Sequence, residues 1–210
     1  MAVARADDRS ALWNRTSLKL WQYFVIAVGA LAPMSLGLLL AYLLGSILPA
    51  DESGMALYDK MTWAWSVPFL AFMPLVPGVF EELLFRGYIQ SRLAKRWSPW
   101  AAIVMTSLMF GVMHVVPHVI IFAFVLGLWL GYVAHRTNSV FPSIVCHATI
   151  NFIWNLRRVG IKFFQWPEIP PLWFNVALAA AILGCFLWSC WILKSLPGSP
   201  TTESNVEFAD

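Results

Sequence analysis

Glu81 and Glu82 stand side by side at the end of an almost uninterrupted apolar run, Pro77-Gly78-Val79-Phe80-Glu81-Glu82-Leu83-Leu84-Phe85-Arg86, and the apolar pattern resumes beyond them. An ionisable group at membrane depth costs roughly 2.5–3.5 kcal/mol on insertion scales, so charges held there mark a functional site by default. On a helix, Glu82 and Arg86 are four residues apart with the acid on the N-terminal side, the favourable order for an ion pair, while Glu81 points about 100° away. Arg86 can then neutralise Glu82 and fix the helix, leaving Glu81 to face a water-filled cavity. A carboxylate held in low dielectric is a stronger base, as activation of water requires. The plain alternative is a pair of interfacial helix caps.

Two later apolar stretches each carry a histidine. His114 ends Phe110-Gly111-Val112-Met113-His114, one turn after Phe110 on the same face, where a simple hydrogen-bonded helix end would also suffice. His147 and Asn151 share a helical face with Cβ atoms about 5–6 Å apart. Both can donate to a developing oxyanion, worth roughly 2.7–4 kcal/mol each in a dry, preorganised site. The alternative for this pair is an interhelical polar clamp, typically about 0.6 kcal/mol. His118 follows His114 by four residues, but Pro117 breaks the helix and no Glu follows His114 as a zincin motif requires. Cys146 precedes His147, and adjacent helical residues diverge by about 100°, against a Cys–His dyad. Cys146, Cys185 and Cys190 all lie in apolar runs without metal-type spacing. His135, beside Arg136 in a polar turn, is assigned no role.

The elements that must position these groups are set by composition. The chain has 210 residues, 60% hydrophobic and 12% charged, against about 25% charged in globular proteins. This predicts an all-α protein: a polytopic transmembrane helical bundle of about six spans with an intramembrane polar cavity. The predicted runs are Leu18 to Leu48, Met61 to Leu93, Trp97 to Val116, Val119 to Ala134, Val140 to Trp154 and Leu172 to Leu193. Pro33 and Gly37 predict a kink in the first run, and Pro68, Pro74 and Pro77 a broken or kinked second. Pro117 and His118 fall in a predicted tight turn, and Arg157, Arg158 and Lys162 in an interfacial linker. Residues 1–17 read as a cytoplasmic leader, 18–194 as a single membrane domain, and 195–210 as a polar, disordered tail. Lys and Arg outside Arg86 divide as nine on the side of the N-terminus and four opposite, which places both termini in the cytoplasm. The basic residues after the fifth run oppose the rule locally, as a re-entrant segment or an extra interfacial helix would explain. The net charge of +3 is spread over loops, with no basic patch for a nucleic acid. No duplicated halves support a transporter.

Glu-Glu-x-x-x-Arg, Phe-x-x-x-His and His-x-x-x-Asn, each in a successive hydrophobic segment, together resemble the CPBP or Abi family of intramembrane proteases, the CAAX prenyl protease type 2-like proteins. Glu81-Glu82-Leu83-Leu84-Phe85-Arg86-Gly87 is close to that family's usual wording, and the resemblance covers about Val76 to Asn155. It implies a helical bundle whose cavity opens toward the membrane or cytoplasm and hydrolyses a peptide bond near the terminus of a membrane-associated protein or peptide. By the same resemblance Glu81 is the general base, His114 shares its water, Glu82 and Arg86 orient the helix, and His147 and Asn151 form the oxyanion hole. No cofactor is favoured, since this scheme gives Asn151 and the second histidine a role. The alternative is a zinc site of Glu81, His114 and His147 with an open fourth position and Glu82 left as base. The implied partners are the membrane-associated substrate and the lipid bilayer, and the small size and short loops suggest a prokaryotic cell membrane. A non-proteolytic immunity or scaffold protein of the same family is the runner-up.

Overall fold

The computed structural model describes residues 18–45, 47, 58–167 and 169–196. The expected leader and nearly all of the expected tail lie outside the described residues. Helices α1 (Leu20–Gly29) and α2 (Leu31–Leu43) meet at Ala30 and together form one apolar rod. The break precedes Pro33, which sits in the first turn of α2, where its missing N–H has no helical partner to lose.

Helix α3 (Trp63–Glu82) passes through Pro68, Pro74 and Pro77 as one helix. The departure from α geometry comes later, in a π-helical segment, Leu83–Gln90, followed by a short α turn, Ser91–Leu93. The expected break is therefore absent at the prolines, and the departure from α geometry falls instead on the segment that carries Arg86 and Gln90.

Ser98 caps α4 (Pro99–Val112), its Oγ accepting from the Ala101 N–H at 3.3 Å, with Pro99 opening the helix. At 14 residues, α4 is about 21 Å long. It ends in a tight turn in which the Val116 N–H donates to the His114 carbonyl at 2.6 Å and Val115 takes φ 64°. That is a γ-turn with a β-branched residue in the left-handed region, a strained arrangement. Pro117 does not lie in this turn but starts α5 (Pro117–Thr137), which also takes in His118 and stops at Asn138 with φ 48°.

Helix α6 (Phe141–Phe164) runs well past Trp154 and takes in Arg157, Arg158 and Lys162. These residues are therefore neither an interfacial linker nor a separate helix. Their charges are accommodated on the continuing helix: the Lys162 Nζ donates to the Tyr58 and Asp59 carbonyls at 2.5 and 2.6 Å, and Arg158 lies over the Trp154 and Tyr58 rings. Gln165, with φ 53°, ends α6 as the Trp166 N–H returns to the Gly160 carbonyl at 3.2 Å. Helix α7 (Leu172–Ser195) closes the bundle, with its C-terminal carbonyls at Leu193, Lys194 and Leu196 bonded by Arg136.

Helix directions follow from paired contacts. Gly78 meets Ala148 and Trp63 meets Phe163, so α3 and α6 are antiparallel. Gly127 and Gly131 meet Ser107 and Ile103, so α4 and α5 are antiparallel; Ser189 bonds the Val25 carbonyl while Gly29 meets Cys185, so α1 and α7 are too. Arg86 and Gln90 bond Gly127 and Gly131, which makes α3 and α5 parallel. The start of α1 and the end of α7 therefore share one end of the bundle. Lys19, Arg92, Lys95, Arg96, Arg136 and Lys194 lie toward that end; Lys60, Arg157, Arg158 and Lys162 lie toward the other.

The chain is an integral membrane helical bundle. Four helical rods are long and apolar enough to cross a membrane: α1 with α2, α3 with its extension to Leu93, α5, and α7. Of the six expected spans, α4 is shorter and α6 more polar than these. The main core joins Ile26, Leu126, Leu130, Cys146, Ile150 and Ile192, and a smaller cluster of Phe85, Phe110 and Ala123 underlies the charged residues.

Candidate active site

Glu82 is the last residue of α3 and is fully buried. Its Oε1 accepts from Arg86 Nη1 at 2.9 Å and lies 2.9 Å from His147 Nδ1, so one carboxylate oxygen joins the π segment to α6. The pair keeps its four-residue spacing although Arg86 stands on the π turn. Arg86 also donates from Nη2 to the Gly127 carbonyl at 3.1 Å and lies 4.5 Å from the centre of the Phe110 ring. A buried guanidinium without these partners would be strongly unfavourable.

Close approach of α3 and α6 depends on Gly78, where an added Cβ would stand 3.2 Å from the Ala148 backbone nitrogen. Three residues on, Glu81 keeps a quarter of its side chain exposed, but its Oε2 is buried without a hydrogen-bond partner. That oxygen faces His147 Nε2 at 3.9 Å. Because an ionised Glu82 only accepts, His147 carries its first proton on Nδ1 and presents Nε2 toward Glu81.

His114 follows the end of α4 at Val112. Its Nδ1–H donates to the Phe110 carbonyl at 2.8 Å, which leaves Nε2 open. The His114 and His147 rings both pack edge-on against Phe110, with centroids at 5.0 and 5.7 Å, and Phe85 adds a third ring contact at 5.2 Å. Asn151 follows His147 by one turn and is partly exposed, and its carbonyl accepts from Asn155 Nδ2 at 2.6 Å.

The structure thus brings Glu81, Glu82, Arg86 and His147 into direct proximity, couples His114 to them through Phe110, and sets Asn151 beside them on α6. Glu81 and His147 face one another, whereas His114 lies against Phe110. Among the described residues no three His, Cys, Asp or Glu side chains stand close enough together to hold a metal ion. Cys146, beside His147 in sequence, is buried in the main core.

Sequence reasoning missed the support on α5. Arg86 and Gln90 donate to the carbonyls of Gly127 and Gly131, the latter at 2.9 Å, so two side chains four residues apart reach two glycines four residues apart. The Gly-x-x-x-Gly spacing was the available signal, since small residues let helices and side chains come close to a backbone. It missed Tyr58 and Asn155 as well, whose side chains bond each other at 2.5 Å. Burial holds the Tyr58 phenol above its ordinary value, against the opposing pull of Arg158.

Residues 63–153 match the family model of type II CAAX prenyl endopeptidase Rce1-like proteins. No curated protein and no solved structure matches the chain. The matched stretch contains Glu81, Glu82, Arg86, His114, His147 and Asn151. The segment that builds this site is thus similar to the Rce1-like family of type II CAAX prenyl endopeptidases.

Proposed function

We propose that this protein is an intramembrane endopeptidase that hydrolyses a peptide bond near the terminus of a membrane-associated protein or peptide. The observation that carries the reading is the buried, unpartnered Glu81 Oε2 facing His147 Nε2 across 3.9 Å. Glu81 is the general base. It takes a proton from a water shared with His114 as the water oxygen attacks the scissile carbonyl, and it later delivers that proton to the leaving amine. Glu82 and Arg86 hold His147 rather than react. In its protonated form His147 carries a second proton on Nε2, and that N–H joins the Asn151 carboxamide as an oxyanion donor. The scheme uses no metal. The bound partners are the lipid bilayer and the substrate, with no nucleic acid; the setting is a prokaryotic cell membrane with both termini cytoplasmic.

The test is cleavage of a panel of membrane-tethered peptides in liposomes by the wild type and by Glu81→Ala, with metal content determined on the same preparations. Cleavage that disappears in the variant, at sub-stoichiometric metal, is the expected result. Full activity of Glu81→Ala would overturn the assignment. Cleavage that rises and falls with bound zinc would overturn the metal-free scheme.

A further inference from the structure

We propose that Tyr58 and Asn155 are positioning residues for Asn151, locking the turn of α6 that carries it to the entry of α3. The inference rests on the proteolytic reading above, in which Asn151 is an oxyanion donor. Asn151 and Asn155 are one helical turn apart on α6, on the face that also carries His147. Asn155 is 6% exposed, so its carboxamide must find partners within the protein. It finds them on opposite sides. The Tyr58 hydroxyl donates to Asn155 Oδ1 at 2.5 Å, which fixes the orientation of the amide, and Nδ2 then donates to the Asn151 carbonyl at 2.6 Å.

Tyr58 is itself held. Lys162 bonds the carbonyls of Tyr58 and Asp59, and the phenol ring meets Phe69 of α3 edge-on at 5.8 Å. Helices α3 and α6 meet at Gly78 with Ala148 near Glu81 and at Trp63 with Phe163 at the far end, and Tyr58 with Asn155 adds a hydrogen-bonded tie one turn beyond Asn151. Without that tie, the Asn151 turn is less restrained relative to Glu81. Both residues lie outside the stretch that matches the Rce1-like family, so the lock belongs to this chain and not to the matched pattern.

The experiment is a double-mutant cycle on peptide cleavage. Tyr58→Phe removes only the hydroxyl, and kcat is expected to fall about tenfold with little change in KM, the scale of one lost hydrogen bond. Asn155→Asp keeps an acceptor for Tyr58 but loses the donor to Asn151, and should fall similarly. Neither change should cost further activity in an Asn151→Ala background, because the effect travels through Asn151. Wild-type kcat in Tyr58→Phe, or an equal loss with Asn151 already removed, would overturn the proposal. If the wild type cleaves no peptide, the proteolytic reading fails by itself, and the lock is read by amide hydrogen exchange. Tyr58→Phe should then speed exchange at residues 151–155 while leaving α5 unchanged; unaltered exchange at 151–155 would overturn it.

Discussion

Glu82 spends both its interactions on one oxygen, and this sets the roles of its neighbours. Arg86 and His147 are tied to it, so removing Arg86 leaves a buried carboxylate without its guanidinium partner. Arg86→Ala should lower stability by about 3–5 kcal/mol, seen as a large drop in the thermal midpoint in detergent. Glu81→Ala removes a carboxylate oxygen with no hydrogen-bond partner, and should leave that midpoint nearly unchanged while abolishing cleavage. The opposite signature is expected at Val115, whose φ of 64° strains a β-branched residue directly after His114. Val115→Gly should raise stability by about 1 kcal/mol, strain relief outweighing the backbone entropy of glycine, while cleavage falls because His114 is less restrained. Tyr58 adds a pH dependence. Its phenol is favoured neutral in the folded state, so its contribution is complete below the ordinary phenol value and is lost as pH rises past it toward the higher folded value. An unfolding series from neutral to strongly alkaline pH, compared with Tyr58→Phe, checks this. The motif spacings made Glu81, Glu82, Arg86, His114, His147 and Asn151 legible from sequence. The sharing of Glu82 with a histidine 65 positions away was not, because it depends on how α3 meets α6.

Between elements, the π segment and the Gly127–Gly131 stripe act as a unit. The carbonyls of two glycines receive Arg86 and Gln90, and the same glycines admit Ser107 and Ile103 of α4. An added Cβ at Gly131 would stand 2.8 Å from Gln90 Oε1 and 3.0 Å from Ile103 Cγ2; at Gly127 it would stand 3.1 Å from Ser107 Cβ and 3.3 Å from Arg86 Nη2. Gly127→Ala and Gly131→Ala should each cost about 1–3 kcal/mol through overpacking. The first should reduce cleavage more, since it displaces the partner of Glu82; parallel denaturation and activity assays separate the two. Apolar runs predicted the helices well because long apolar stretches leave the backbone few alternatives in lipid. They placed the end of α6 too early. Arg157 and Arg158 read as the end of an apolar run, whereas aromatic rings and backbone carbonyls let the helix carry those charges onward. Of the broken or kinked helix that the prolines predicted, the break is absent, because α3 stays continuous through all three to Glu82.

Across the whole molecule, the expected division of positive charge reappears at the two ends of the bundle among the described residues, because α4 and α6, lying between the long rods, return the chain so that α3 and α5 run the same way. The sequence could count these charges, but only the pairing of helices shows which of them lie together. Reporter fusions at the two termini should report the same side of the membrane. One dimension of the bundle has a further consequence. A hydrocarbon core is about 30 Å thick, and α4, with 14 residues, covers about 21 Å of it. Over the remaining distance the lipid beside α4 must thin or water must enter, and His114 stands in the turn that ends α4. So short a helix is expected to let bulk water approach the site along the protein–lipid boundary. The enzyme should then respond to its solvent bilayer: cleavage should be faster in liposomes of short-chain phosphatidylcholine than in those of long-chain lipid, with the thermal midpoint of the protein shifting in the same order.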